Sequence, residues 1–208
     1  MGKKVILDLC GGTGAWSNPF KTAGYDVRVI TLPMFDIHNW RNYPEIVEPI
    51  ESGEVYGIMA APPCTMFSRA RTTGKTPRDF RGAMETVAAC LEIIWECEYN
   101  HPFSLNFWAM ENPRGHLERF LGKPAYVFQP YYFGDRHSKE TCLWGRFKQP
   151  VAKPVGLSIF EQQKSRNNTR ELPPIPEDYI PDGKMKPVQI RRSITPPNFA
   201  QAFFEANT

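Results

Sequence analysis

The sequence predicts an α/β protein built on a doubly wound, mostly parallel sheet with an antiparallel strand at its edge. Short apolar runs alternate with segments of helical periodicity along the chain. The first run, residues 4–9, ends at a glycine turn, residues 11–14 (GGTG), which suits a buried parallel strand that turns into a helix. Two later runs end in the polar tripeptides 62–64 (PPC) and 111–113 (ENP). Carboxyl ends of neighbouring parallel strands meet at one edge of a sheet, so these groups should share a crevice.

Length and composition indicate one domain without a membrane segment. The 208 residues carry a formal net charge of +3, and no apolar run approaches the ~20 residues of a membrane helix. The first residues lack the apolar stretch of a secretory signal. The five cysteines include no C-x-x-C pair, so neither a disulfide framework nor a zinc site is expected. We therefore expect a protein of the reducing cytoplasm.

The remaining elements follow from periodicity and turn residues. Strands are expected at residues 25–30, 54–61, 107–110, 126–133 and 141–147, the last two forming the antiparallel edge. The longest helix should begin with Thr76 as its cap and run to about Tyr99, and a short helix near 116–121 should end at Gly122.

The last quarter of the chain changes character. Seven prolines interrupt residues 149–187, and Phe199 and Phe203 then form an apolar helical stripe. We therefore divide the chain into a core over 1–148, an irregular Pro-rich segment over 149–190 and a C-terminal helix over 191–208 that packs back on the core.

The glycine turn could bind a ligand or could only reverse the chain. Its glycines let a backbone approach a ligand closely, but a tight strand-to-helix turn uses the same residues. Asp8 and Trp16 on either side would add a carboxylate for an amino group and an aromatic face for an adenine. The turn lacks the G-x-x-x-x-G-K-[ST] pattern, which disfavours a phosphate-cradling nucleotidase.

Cys64 is the candidate nucleophile. Pro62 and Pro63 stiffen the backbone before it and hold the thiol at a strand end. The basic loop that begins at Arg69 would lower the pKa of this thiol toward the reactive thiolate. The other four cysteines are interpreted as packing residues.

Glu111 ends an otherwise apolar strand, where an unpaired carboxylate is costly to bury. It could accept hydrogen bonds from the turn or, beside a thiol, stay protonated and donate a proton at neutral pH. His137 and Lys139 could hold a substrate, although isolated polar residues are more often solvated. No metal site is expected, because no ligand spacing links the cysteines or acids with His38, His101 or His116.

Two basic clusters could contact phosphates or could simply be solvated surface. The first comprises Arg69, Arg71, Lys75, Arg78 and Arg81, and the second comprises Lys184, Lys186, Arg191 and Arg192.

Together these motifs resemble those of the cytosine-5 DNA methyltransferase family. Residues 8–14 (DLCGGTG) resemble its cofactor motif, Asp36-Ile37 its second cofactor acid, 63–68 (PCTMFS) its nucleophile motif and Glu111-Asn112 its glutamate motif. They occur in the family's order over about the first two thirds of the chain.

The resemblance implies a Rossmann-like methyltransferase that uses S-adenosylmethionine and acts on cytosine in DNA. Cys64 would attack C6 of the ring, Glu111 would protonate or hydrogen-bond N3, and Lys139 would carry the charge of a later family motif. The base would be flipped out of a duplex or supplied single-stranded, and the loop from Arg69 to Arg81 would close over the substrate.

The family motifs assign further contacts by position. The cofactor would contact Asp8, Leu9, Cys10, Gly12, Gly14, Trp16, Asp36, Ile37, Pro62 and Thr195. The substrate would contact Pro63, Ser68, Arg69, Arg71, Asn112 and His137.

The sequence also departs from the family. Residues 137–141 (HSKET) stand where the family has Q-x-R-x-R, and no acidic residue follows the second strand to bind ribose hydroxyls, since Thr31 or Leu32 stands near that position. The large target-recognition region is reduced to residues 149–187. These departures suggest a phage or mobile-element enzyme with short or relaxed specificity.

Two other functions remain open. The same chemistry could act on a free cytosine nucleotide or on RNA, although a loop with several cations favours a polymer. Alternatively, the chain could be a degenerate methyltransferase that only binds DNA or cofactor, a hypothesis that the presence of both Cys64 and Glu111 opposes.

Overall fold

The computed structural model describes residues 4–69, 71, 76–152, 172–181, 183 and 185–208. Its strands are β1 (Val5–Leu9), β2 (Asp26–Ile30), β3 (Val55–Ala60), β4 (Phe107–Pro113), β5 (Tyr126–Phe128) and β6 (Thr141–Arg146). Its α-helices are α1 (Asn18–Thr22), α2 (Pro44–Glu51), α3 (Phe80–Asn100), α4 (Glu118–Leu121), α5 (Pro187–Ser193) and α6 (Pro197–Asn207), and 3₁₀ helices span Ile37–Asn42 and Pro130–Phe133.

One six-stranded sheet in the order β2-β1-β3-β4-β6-β5 organises the molecule. Strands β2, β1, β3 and β4 are parallel, whereas β6 runs antiparallel to both β4 and β5. The predicted fold class is therefore confirmed, with the antiparallel strand lying one place in from the edge. Because the chain passes from β1 to β2 on one side and to β3 on the other, the crevice for a ligand is expected at the carboxyl ends of β1 and β3.

Apolar layers cover both faces of the sheet. In one layer, α2, α3 and the first 3₁₀ helix pack against the sheet through Trp40, Ile46, Ile50, Val87 and Ile94. The other is aromatic and includes Trp16, Phe20, Phe107, Phe128, Phe199 and Phe203. The rings of Phe128 and Phe199 stack with centroids 3.9 Å apart, so α6 supplies part of this second core.

Several predicted boundaries are corrected. Helix α3 begins at Phe80 and not beside Thr76, because the Asp79 side chain caps it by accepting the Gly82 N–H at 2.9 Å. The strand expected over 126–133 stops at Phe128, since Pro130 cannot donate to a ladder and begins a 3₁₀ helix. Helix α5 lies partly within the segment expected to be irregular.

Some sequence predictions fall outside the described residues. These include Lys75, Lys184 and most of the Pro-rich segment, residues 153–171. The division at 148 and 190 therefore stays a prediction. In the part of the chain that the structure describes, no helix is both long and apolar enough to cross a bilayer.

Candidate active site

Cys64, Glu111 and Lys139 meet at the carboxyl ends of β3 and β4. Lys139 Nζ donates to Glu111 Oε1 at 3.1 Å, in an ion pair whose side chains are 21% and 10% exposed. Burial raises the pKa of the Cys64 thiol, Lys139 lowers it, and Glu111 raises it. The segments that carry Cys64 and Glu111 are in contact, since the Asn112 side chain donates to the Pro62 carbonyl, and both charges act on the thiol.

The electrostatics of the thiol differ from the sequence prediction. The pKa of Cys64 lies above its ordinary value because burial dominates, and the cation that opposes this shift is Lys139, not the loop beginning at Arg69. Burial also acts to lower the pKa of Lys139, but Glu111 and Cys64 hold it above its ordinary value. The free protein therefore holds a neutral thiol beside a charged ammonium at neutral pH.

Alkylation of Cys64 by iodoacetamide should report these opposing charges. We expect Lys139→Gln to shift the pH midpoint of alkylation upward and Glu111→Gln to shift it downward, because the first removes a cation and the second an anion. The measurement is the alkylation rate of Cys64 by mass spectrometry between pH 6 and pH 10, with Arg69→Gln as the control. A shift caused by Arg69→Gln as large as that from Lys139→Gln would contradict the assignment.

The backbone after Cys64 is held by hydrogen bonds within the loop. The Cys64 carbonyl accepts the N–H groups of Phe67 and Ser68 at 3.0 and 2.8 Å. The Arg78 guanidinium donates to three backbone carbonyls, those of Met66, Ser68 and Arg71, at 2.5, 2.9 and 3.1 Å. Arg78 therefore fixes the loop that carries the nucleophile.

Two arginines of the basic loop make hydrogen bonds within the protein. Arg71 donates to the Thr76 carbonyl and hydroxyl at 3.0 and 2.9 Å and contacts Met66 Sδ at 3.2 Å. Arg71 and Arg78 are thus engaged within the protein. Arg69 is exposed, as is Arg81, whose only described ion pair is a 3.7 Å contact with Glu85. Of the four cations of this cluster that the structure describes, two are exposed, and the phosphate-binding role of the loop stays a prediction.

The strand end that carries Glu111 is fastened to the Cys64 loop. Asn112 Nδ2 donates to the Pro62 carbonyl at 2.9 Å, and Ser68 pairs with Gly115 in an isolated antiparallel bridge. A Cβ atom on Gly115 would lie 2.2 Å from the Phe67 carbonyl oxygen, so this approach requires glycine.

Gly115→Ala should therefore separate the two strand ends. Because the obstacle is backbone, we expect a loss of about 2–3 kcal/mol in the free energy of unfolding together with slower alkylation of Cys64. Urea unfolding and the alkylation assay would measure both effects. Gly24→Ala is the control, since Gly24 has φ +89° with open space around it, and it should leave alkylation unchanged. Equal alkylation in the two variants would show that the Gly115 contact does not position Cys64.

Asp8 lies beneath the glycine turn at the end of β1. Its side chain is fully buried and accepts the Ser17 hydroxyl at 2.5 Å, and Ser17 also donates to the Gly14 carbonyl at 3.1 Å. Burial raises the pKa of Asp8 to about 7, against the lowering effect of Ser17. Asp8 Oδ1 has no hydrogen-bond partner among the described residues. A buried acceptor in this state is stabilised when a donor such as an ammonium group reaches it.

The turn itself leaves room for a ligand. Gly12 and Gly14 have φ values of +56° and +68°, and nothing lies within 4 Å of a Cβ built on Gly12. Beside the turn opens a cavity of about 350 Å³, within the usual size range of small-molecule sites. It is lined by residues 12–15 of the turn, 31–35 after β2 and Pro176, Asp178, Tyr179 and Ile180 of the Pro-rich segment.

The other predicted cofactor residues take several positions. Leu9, Ile37, Pro62 and Thr195 are buried. Asp36 caps the first 3₁₀ helix, accepting the His38 N–H at 3.1 Å. Cys10, with φ +54°, lies on the turn, and a hydrogen bond between its side chain and the free Cys90 thiol, together with burial, raises the pKa of Cys90.

Trp16 corrects one prediction. Its side chain is 2% exposed and packs edge-on against Phe203 with centroids 5.3 Å apart. The ring therefore belongs to the aromatic core and does not offer a face to an adenine.

The substrate-side residues lie around Cys64. Pro63 is exposed, and Asn112 is buried with Oδ1 unpartnered among the described residues. His137 is also buried, and burial, with help from Lys139, lowers its pKa. His137 is therefore neutral at pH 7.

Comparison with known proteins gives weak likenesses. No family model and no curated protein matches the chain. Among solved structures, a mutant of Spodoptera frugiperda DNMT2 is 18% identical over 69% of this chain, with a TM-score of 0.40. S. pombe Dnmt2 methyltransferase is 13% identical over 86%, with a TM-score of 0.37, and the Entamoeba histolytica methyltransferase EhMeth is 11% identical over 80%, with a TM-score of 0.39.

The present chain spans 50%, 57% and 58% of the lengths of these three structures. At such identities and TM-scores they carry no assignment of activity. The residues gathered at the strand ends are more informative about function.

The sequence interpretation missed Ser17 and Asp178, and it considered Arg78 only as a possible phosphate contact. Ser17 bridges Asp8 and the turn, Arg78 holds the loop after Cys64, and Asp178 lines the cavity from a distant segment. A serine nine residues after an acid has no diagnostic pattern, and an arginine in a basic loop carries no sign of facing inward. No local sequence signal could have found Asp178.

Proposed function

We propose that this protein is an S-adenosylmethionine-dependent methyltransferase that methylates C5 of cytosine in DNA through a covalent bond between Cys64 and C6. The observation that carries the proposal is the juxtaposition of Cys64, Glu111 and Lys139 beside the glycine turn of β1. A thiol, an acid and a cation at one point suit addition to a conjugated ring. A module that only binds would need none of them in this arrangement.

The glycine turn, Asp8 and the cavity after β2 fit the proposed cofactor. The unpartnered Asp8 Oδ1 suits its ammonium group, and the cavity lies at the turn where its nucleoside would be held. S-adenosylmethionine, when bound, supplies an electrophilic methyl group. The protein residues hold the cofactor on the β1 and β2 side of the sheet and the cytosine on the β3 and β4 side.

The raised pKa of Cys64 is compatible with nucleophilic attack if its proton stays in the site. Cys64 gives its proton to the nearby Glu111 carboxylate, and Lys139 stabilises the resulting thiolate. As sulfur bonds to C6, the ring electrons move toward N3, where Glu111 delivers the same proton. The C5 atom thereby becomes nucleophilic. After methylation a solvent water takes the C5 proton, N3 returns its proton to the Glu111 carboxylate, and the Cys64 thiolate leaves C6, which restores the aromatic ring.

The identity of the substrate is tested by direct comparison. The protein would be incubated with radiolabelled S-adenosylmethionine and one substrate at a time: duplex DNA, single-stranded DNA, RNA or dCMP. We expect label in DNA, at C5 of cytosine. Absence of label in every substrate would contradict the proposed methyltransferase activity, and label in RNA alone would contradict DNA as the substrate.

One observation favours a second candidate, methylation of a free cytosine nucleotide. Arg71 and Arg78 are engaged within the protein and do not face a nucleic acid backbone. Label in dCMP at a rate above that in either DNA would select this candidate.

A further inference from the structure

We infer that Asp178, from the Pro-rich segment, binds the ribose hydroxyls of the cofactor and so replaces the acid that is missing after β2. The inference rests on the proposed function and names a residue that deepens it. Three observations carry it: the chemistry of the cavity, the free carboxylate and the anchoring of the segment.

The cavity beside the glycine turn contains one acidic side chain. Among its described lining residues, Asp178 is the only carboxylate and Lys21 the only ammonium group. The residues that follow β2 are apolar or hydroxylic, 31–35 (TLPMF), so they offer no carboxylate for a pair of hydroxyls. A carboxylate accepts two hydrogen bonds at once, which suits the vicinal hydroxyls of a ribose.

Asp178 is available for such a role. It is exposed and makes no hydrogen bond or ion pair with any residue that the structure describes. It lies in a tight turn in which the Tyr179 N–H donates to the Pro176 carbonyl at 3.2 Å. Tyr179 and Ile180 line the same cavity and give it an aromatic and an aliphatic wall from this side.

Hydrogen bonds from helix α5 hold the segment that carries this turn. Arg191 of α5 donates to the Pro173 carbonyl at 3.0 Å and to the Leu172 carbonyl. Ile190, 4% exposed, fixes α5 against the domain. Arg191, predicted to contact phosphates, thus holds the start of residues 172–181. This part of the Pro-rich segment lines the cavity on the β1 and β2 side of the sheet.

The test is binding of S-adenosylhomocysteine, measured by isothermal titration calorimetry. We expect Asp178→Asn to weaken binding about 10- to 100-fold, because charged hydrogen bonds to hydroxyls are lost. Glu177→Gln is the matched control, since Glu177 is an adjacent exposed acid that does not line the cavity, and it should change binding less than about twofold.

A second ligand separates ribose recognition from a structural effect. The 2′,3′-dideoxyadenosyl analogue of S-adenosylhomocysteine, which lacks both hydroxyls, should bind the wild type and Asp178→Asn with equal affinity, while thermal unfolding of the two proteins stays the same. Equal affinity of the wild type and Asp178→Asn for S-adenosylhomocysteine would overturn the role of Asp178 and leave the proposed function standing. Failure of the wild type to bind S-adenosylhomocysteine would overturn the proposed function and this inference with it.

Discussion

Cys64→Ala is expected to abolish methyl transfer while leaving the fold and cofactor binding in place. The substitution removes the only group proposed to bond to C6, so kcat should fall by at least about 10³-fold. Cys64 is only partly buried on a loop held by Arg78, so loss of its sulfur should change the free energy of unfolding by less than about 1 kcal/mol. Incorporation of labelled methyl groups into DNA and urea unfolding measure the two quantities.

A covalent trap makes this expectation specific to Cys64. DNA containing 5-fluorocytosine should form a denaturation-resistant adduct with the wild type and none with Cys64→Ala, because fluorine at C5 prevents the elimination that releases sulfur. Cys97→Ala is the control, since Cys97 is a buried residue of α3, and its adduct should form as in the wild type. An adduct that persists in Cys64→Ala would place the nucleophile at another residue.

Asp8→Asn is expected to remove a large pH dependence of stability. Folding raises the pKa of Asp8 from 3.8 to about 7, so the folded state binds a proton more tightly than the unfolded state between these values. The wild type therefore loses stability from this group as pH rises through this window, by about 4 kcal/mol. We expect the free energy of unfolding of Asp8→Asn, relative to wild type, to increase by a similar amount between pH 4 and pH 8 in urea titrations.

Ser17→Ala provides the matched variant. The Ser17 hydrogen bond lowers the pKa of Asp8, so its removal should extend the pH-sensitive window upward. S-adenosylhomocysteine binding gives an independent measure, because wild-type affinity should decrease as pH falls below 7 and Asp8 loses its charge, whereas Asp8→Asn should show no such decrease. A stability difference between Asp8→Asn and wild type that is constant with pH would contradict the assignment of this titration to Asp8.

The sequence predicted the parallel half of the sheet well because those strands are buried on both faces. Runs such as β1 and β3 are nearly continuous in apolar residues, and each ends in residues that cannot extend a strand. Strand adjacency then follows from topology, so the meeting of Cys64 with Glu111 could be inferred before any coordinates.

The parts that could not be predicted depend on tertiary contacts. Helix α2 contains Pro49 and has little helical signal, yet its buried Ile46 and Ile50 pack on the sheet. Lys139 pairs with Glu111 across 28 positions, and no local pattern reports such a distant partner. For the same reason the sequence assigned the shift in the Cys64 pKa to nearby arginines.

The aromatic core has a consequence for folding of the chain during its synthesis. Phe20 of α1 and Phe107 of β4 precede α6 in the chain, but Phe199 and Phe203 of α6 cover the same face and are synthesised only after all six strands of the sheet. Until then one apolar aromatic face of the sheet stays exposed to solvent. The contacts that bury it, between α1 or β4 and α6, join residues far apart in the sequence. This face of the sheet is therefore completed only after α6 has been synthesised, and chaperones that shield aromatic surface until then would raise the yield of folded protein.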